Sequence, residues 1–277
     1  MRLSPALALA LLALASPGRS ADTPPPHPRK VSIEGVLAAM SPEEKVGQLL
    51  MVGFAGTQVN SQISHWVRDR HVGGVALFSR NIVDLAQTAR FTRALTTLAG
   101  DGIPIFLALD QEGGNVVRVK DGAMLLPGNM ALGATREPTL AYVAGQALAI
   151  DLRLLGFNMN LAPVLDVNSN PQNPVIGIRS YGERPDLVGY MGEWYVRGQQ
   201  EMGVVAVAKH FPGHGDTQTD SHFAMPSIDA DLGRLEEVEL YPFKESIKAG
   251  LDAIMTAHIA LPRLAEGIDL PATLSHN

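Results

Sequence analysis

The chain has 277 residues, 46% of them hydrophobic, a formal net charge of −6 and no cysteine. That is enough apolar material for one large α/β domain, and the 18% of charged residues contain no Lys/Arg block of the kind that binds nucleic acid. The absence of cysteine excludes a disulfide framework, cysteine-ligated zinc and attachment of a lipid to a cysteine.

The first element in chain order reads as an export signal. Arg2 gives a positive start, Leu7 to Leu14 an apolar run too short to span a bilayer, and Ala13-Leu14-Ala15 or the Ser20/Ala21 region a small-residue cleavage site. Residues 1–21 are therefore expected to direct the protein to the periplasm or the medium, with no stable membrane insertion. Residues 22–36, with the run DTPPPHPRK, are expected to be a proline-rich linker, and 37–277 the folded domain.

From there, short apolar runs alternate with longer amphipathic segments, the pattern of βα repetition around a parallel sheet. Strands are predicted near Val46 to Phe54, Val72 to Phe78, Pro104 to Asp110, Phe157 to Asp166, Val204 to Phe211 and Leu251 to His258. Helices are predicted near Asn60 to Arg70, Val83 to Ala99, Pro138 to Leu155, Pro185 to Met202 and Leu232 to Ala249, several opened by a Pro in the first turn or a preceding Asp or Ser. Polar groups gather at one end of the strands: Asp110 and Glu112 after the third, Asp166 and Asn168 after the fourth, Lys209 and His210 at the fifth, His258 after the sixth.

Both a barrel and an open doubly wound sheet place ligands at that end. No GxGxxG and no GxxxxGK phosphate loop occurs, which disfavours a nucleotide-binding sheet. The expected fold is an α/β, TIM-type (β/α)8 barrel. Six strands do not close a barrel of eight, so the expectation is a barrel truncated after its sixth strand; a smaller sheet is the alternative. The final run DLPATLSHN fits truncation, because Ser275 reads as the N-cap of a helix that does not follow.

Several stretches carry chemistry. In LDQEGGNVVR, Asp110 stands at a strand end where it can accept sugar hydroxyls or cap a turn, with Arg118 placed to brace it or to reach a ligand. In IGIRSYG, the planar fork of Arg179 suits a carboxylate or vicinal hydroxyls, or a surface ion pair. Lys209 and His210 end the small apolar run VVAVA, and buried titratable groups need partners. The following loop adds His214, Asp216, Asp220 and His222. His210, His214, Asp216, Asp220 and His222 are ligand types that zinc or manganese accepts, but no HExxH or other compact helical pair occurs. The acid/base reading needs only Asp220 and His222, two positions apart: the carboxylate can fix the imidazole tautomer, and the pair can deliver and remove protons near neutral pH. With no GxSxG and no cysteine, the nucleophile must come from elsewhere.

DQEGGNVVR, RSYG, KHFPGHGDTQTDSH and MTAHIALP together resemble the family 3 glycoside hydrolases, in particular their bacterial β-N-acetylhexosaminidase branch, from about Leu37 to the end. The resemblance implies His222 as proton donor and later base, with Asp220 as its partner. It implies Asp110, Arg118, Arg179, Lys209 and His210 as binders of a terminal N-acetylglucosamine, with His258, Met255 and Thr256 near the sugar pocket, and no metal or other cofactor. The family nucleophile is an Asp in a TDAL-like segment at the seventh strand. This sequence contains no such segment, and neither Asp252 nor Asp269 ends a predicted strand, so no residue here takes that role.

The implied activity is exo-acting retaining hydrolysis of terminal, non-reducing β-linked N-acetylglucosamine from peptidoglycan or chitin-type fragments. It proceeds through a glycosyl-enzyme whose carboxylate lies about 5 Å from the proton-handling group. The 277 residues alone are expected to be nearly inactive. The alternatives are a family 3 β-glucosidase, a catalytically dead sugar-binding protein and a metal-dependent hydrolase.

Overall fold

A computed structural model describes residues 32–100, 102–219, 224–264 and 270–275. The expected export signal, residues 1–21, lies outside the described residues, as does most of the expected linker. Two units divide the chain, Met1–Met40 and Ser41–Asn277. In the first, helix α1 (Ile33–Ala39) is capped by Ser32, whose Oγ accepts from Gly35 N at 3.0 Å. It begins inside the stretch read as linker.

The second unit opens with α2 (Pro42–Gln48), then β1 (Met51–Val52), α3 (Ser61–Arg68), β2 (Gly74–Ala76), α4 (Leu85–Ala99) and β3 (Phe106–Leu109). A hairpin, β4 (Gln111–Gly113) and β5 (Val116–Val117), follows, then α5 (Asn129–Thr135), α6 (Pro138–Leu154), β6 (Met159–Asn160) and α7 (Pro185–Glu201). The unit continues with β7 (Val205–Phe211), α8 (Leu232–Glu237), α9 (Tyr241–Lys248) and β8 (Ala253–Thr256).

Six of these strands form one parallel sheet in the order β1-β2-β3-β6-β7-β8, which is chain order once the hairpin is set aside. A doubly wound sheet reverses direction at a switch point. No reversal occurs here, and strands that always step the same way are the winding of a (β/α) barrel. The sequence left those two folds open at the strand ends, and the strand order decides between them.

Three sequence expectations are corrected. The strand predicted from Val46 begins as helix α2, because Ser41 and Glu44 form a capping box (Ser41 N to Glu44 Oε2 2.8 Å, Glu44 N to Ser41 Oγ 3.1 Å) with Pro42 in the first turn. The helix predicted from Leu232 to Ala249 breaks into α8 and α9, because Pro242 has no N–H to continue it and is accommodated only in a first turn. The strand predicted over Phe157 to Asp166 is regular only at Met159–Asn160. Beyond it the chain still runs beside β7, with Lys209 N donating to Pro163 O at 3.0 Å and Leu165 N to Lys209 O at 2.7 Å.

Helices α6 and α7 cross closely at two glycines. A Cβ on Gly145 would stand 2.4 Å from Tyr195 O, and one on Gly198 2.2 Å from Tyr142 O, so the crossing depends on both. Leu148, Val188, Met191 and Tyr195 are buried along this contact. A second buried cluster, with Val75, Leu77, Leu107, Leu109, Phe91 and Phe157, fills the space between β2, β3 and α4. Among the described residues no helix is long and apolar enough to cross a membrane.

Candidate active site

The carboxyl ends of β3, β6 and β7 bring together charges that are far apart in sequence. Lys209 on β7 is buried, and its Nζ lies 2.8 Å from Asp110 Oδ1 and 2.7 Å from Glu112 Oε1. Asp110 follows β3 directly, and its other oxygen accepts from Arg118 Nη2 at 3.0 Å. Glu112 owes its position to a bulge in the hairpin: Gln111 pairs with Val117 and Gly113 with Val116, so Glu112 is the extra residue. Arg179, at the end of the 3-10 turn Gly177–Arg179, grips Glu112 with both prongs, Nη2 to Oε1 at 2.8 Å and Nε to Oε2 at 3.0 Å.

The cluster continues through His210. Its Nδ1 lies 2.7 Å from Oδ2 of the buried Asp166 and its Nε2 3.4 Å from Arg179 Nη2. With the proton on Nδ1, Nε2 turns its lone pair to the guanidinium or to an incoming hydroxyl. Asp166 Oδ1 also accepts from the backbone N–H groups of His210 (3.2 Å) and His214 (2.7 Å). One buried carboxylate thus fixes both a ring and the start of the loop after β7.

Burial alone would raise the pKa of all three carboxyls, and in each case the partners outweigh it. Lys209 and Arg118 hold Asp110 below the ordinary value, Lys209 and Arg179 do so for Glu112, and for Asp166 the His210 ring together with the two backbone N–H groups has the same effect. All three are therefore ionised at neutral pH and cannot serve as general acids. In return, Glu112 holds the Arg179 guanidinium above its ordinary value despite burial.

Of the residues the sequence marked, Asp110, Arg118, Arg179, Lys209 and His210 converge in this network. His258 is exposed and pairs through Nδ1 with Thr273 Oγ1 at 2.8 Å, outside the network's hydrogen bonds. Asp220 and His222, the expected acid/base pair, lie outside the described residues, as does Asp269. The sequence left Glu112 and Asp166 without a role. The signal for Asp166 was present, since a carboxylate that ends an apolar run must find partners, whereas Glu112 is placed by a hairpin bulge that no local pattern marks.

The rest of the loop is held from beneath. Asn173 Nδ2 donates to the carbonyls of His214 (2.8 Å), Gly215 (3.1 Å) and Thr217 (3.0 Å). Of the metal-type ligands proposed here, His210 Nδ1 is committed to Asp166, His214 Nδ1 lies 2.6 Å from Thr217 Oγ1, and Asp216 faces Arg234 at 3.5 Å. A cavity of about 410 Å³ opens beside Glu112 and Arg179, lined also by Gly114, Asn129, Met130 and Ile178. A second, of about 230 Å³, lies on the Arg118 side, between Ser79, Asp84 and Lys120.

Residues 41–277 match the model of the glycosyl hydrolase family 3 N-terminal domain. A β-hexosaminidase A from Pseudoalteromonas piscicida is 37% identical over 86% of this chain and 45% of its own length. Among solved structures, a family 3 β-N-acetylglucosaminidase from Paenibacillus sp. str. FPU-7 superposes with a TM-score of 0.83 at 47% identity, covering 86% of this chain and 45% of that one. NagZ from Neisseria gonorrhoeae, solved in complex with N-trifluoroacetyl-D-glucosamine, gives 0.75 at 30% identity over 82% of this chain and 67% of that one. The chain thus spans about half the length of the first two.

Proposed function

The chain belongs to glycosyl hydrolase family 3, and on that footing we propose that it is the sugar-binding part of an exo-acting, retaining β-N-acetylglucosaminidase. Its substrates are terminal, non-reducing β-linked N-acetylglucosamine residues of peptidoglycan or chitin-type fragments. The observation that carries the reading is the Lys209 ammonium shared by Asp110 and Glu112 at the carboxyl end of the sheet, with Arg118, Arg179 and His210 around it. Ionised carboxylates and fixed cations at this spacing accept from and donate to neighbouring hydroxyls of one sugar, and this orients the ring without bonding to it covalently.

Since Asp110, Glu112 and Asp166 are held as anions, the proton for the leaving group must come from another residue. We assign that role to His222, with Asp220 as its partner, on the loop that Asp166 and Asn173 anchor at its start. Asp110 and Glu112 are also poor nucleophiles, since cations occupy their oxygens. The sequence holds no TDAL-like segment, so no residue here is assigned as nucleophile. The reading includes export to the periplasm or medium, which rests on Arg2 and the Leu7 to Leu14 run.

The test is titration calorimetry of this chain with N-acetylglucosamine and with glucose, followed by assay of the complete gene product on the 4-nitrophenyl β-glycosides of both. Binding of N-acetylglucosamine that is lost in Asp110→Ala, and preferential cleavage of its glycoside, is the expected result. Preference for the glucoside makes the protein a β-glucosidase; binding without cleavage makes it a sugar-binding protein.

A further inference from the structure

Beneath the charged cluster lies a line of three uncharged, fully buried amides: Gln199 on α7, Asn160 on β6 and Gln111 on β4. Gln199 Nε2 donates to Val205 O at 3.3 Å, where β7 begins. Asn160 Nδ2 donates to Gln199 Oε1 (3.1 Å) and to the Gln111 carbonyl (2.9 Å), and Asn160 Oδ1 accepts from Gln111 N (3.0 Å). Gln111 Oε1 then accepts from the backbone N–H groups of Arg118 (2.9 Å) and Val119 (3.1 Å), while its Nε2 donates to Val119 O (2.9 Å).

The three bonds made by the Gln111 side chain all fall on two adjacent residues. Strand pairing in the hairpin stops at Gln111 and Val117, one residue before Arg118. From there a side chain takes over from the ladder. Arg118 is also the residue whose Nη2 meets Asp110 Oδ2 at 3.0 Å. Apolar side chains of similar volume could fill this interior without the cost of desolvating three amides. A buried polar network with its groups paired does something an apolar one does not, namely to specify one arrangement of the backbone it touches.

We propose that Gln111, itself held by Asn160 and Gln199, is the positioning residue that sets Arg118 against Asp110. Its consequence for ligand affinity rests on the N-acetylglucosaminidase reading, whereas its consequence for Asp110 does not. Lys209 and Arg118 touch Asp110, with Glu112 on the far side of the Lys209 ammonium and Arg179 beyond, so displacement of Arg118 is visible in the Asp110 carboxyl itself.

The experiment is a double-mutant cycle in the full chain with Gln111→Met, Arg118→Ala and both together. It is read by NMR titration of the Asp110 carboxyl and by calorimetry with N-acetylglucosamine. Gln111→Met is expected to move the Asp110 titration upward, in the same direction as Arg118→Ala, to weaken the sugar roughly ten-fold, and to add nothing where Arg118 is already gone. A folded Gln111→Met protein with an unmoved Asp110 titration, or one that moves it equally without Arg118, overturns the inference. Coupling in the titration without sugar binding by the unaltered chain would keep the inference and remove the glycosidase reading. If Gln111→Met does not fold, hydrogen exchange in the unaltered chain decides: the Arg118 and Val119 amides are expected to exchange slowly, and exchange at the rate of an open loop overturns the proposal.

Discussion

Lys209 places its Nζ 2.8 Å from Asp110, a residue 99 positions earlier and two strands away in the sheet, with β6 lying between them. The same ammonium is 2.7 Å from Glu112, so one buried cation neutralises two carboxylates. Removing it leaves Asp110 with Arg118 alone and Glu112 with Arg179 alone, and breaking a buried pair in this way costs up to about 3–5 kcal/mol. Lys209→Met is expected to lose stability on that scale in urea unfolding and to abolish N-acetylglucosamine binding; a loss below about 1 kcal/mol would show that the pair forms at little net gain.

Asp110, Glu112 and Asp166 all titrate below their ordinary values of 3.8, 4.5 and 3.8 in the folded chain. A depressed carboxyl contributes stability that is present above its unfolded pKa and is lost as pH falls through the folded one. The free energy of unfolding should therefore begin to fall below about pH 4.5 and continue downward beneath pH 3.8. Urea midpoints measured from pH 7 to pH 3 would show this, and a curve that rises towards acid would contradict it.

Glu239 runs the other way. It is buried under Gly213, one oxygen accepts from Arg234 Nη2 at 2.9 Å, and burial raises its carboxyl above the ordinary 4.5. The stability of a raised carboxyl is present below its unfolded pKa and lost as pH rises through the folded one. Glu239→Gln keeps an oxygen for Arg234 without the charge. Its stability relative to the parent is expected to improve from pH 4.5 to pH 7, and an equal difference at both pH values would refute the assignment.

Tyr181 is buried, and its hydroxyl has no hydrogen-bond partner among the described residues. A buried hydroxyl without a partner is a cost, so Tyr181→Phe is expected to leave the thermal midpoint unchanged or to raise stability by about 1 kcal/mol. A clear loss in calorimetric scans would mean that the hydroxyl is bonded in solution.

Gly215 has no room for a side chain: a Cβ would stand 1.7 Å from Val167 O. Gly215→Ala must push apart the loop after β7 and the segment after β6, at a cost of about 1–3 kcal/mol or more. Weaker sugar binding should accompany the lower urea midpoint, since Asp166 anchors His210 and His214 across this same contact.

The strands were legible because their apolar runs end in polar residues, and Asp110, Lys209 and His210 were legible because titratable groups close those runs. What the sequence hid was the pairing. Nothing local says that Lys209 reaches past β6, or that a bulge turns the Glu112 carboxylate to meet Arg179. The missed breaks had local causes in plain view, the Ser41/Glu44 capping box that opens α2 and Pro242 in the first turn of α9. The apolar periodicity of each stretch outweighed them. Barrel and doubly wound sheet are told apart here by the order of neighbours, which is a property of the whole chain.

The cluster's fixed charges close on themselves: Asp110, Glu112 and Asp166 face Lys209, Arg118 and Arg179, with His210 between Asp166 and Arg179. Counted without the imidazole, three carboxylates stand against three fixed cations. A neutral guest that trades its hydroxyls for existing partners brings no charge of its own for salt to screen. Affinity for such a neutral guest should stay nearly constant as ionic strength rises.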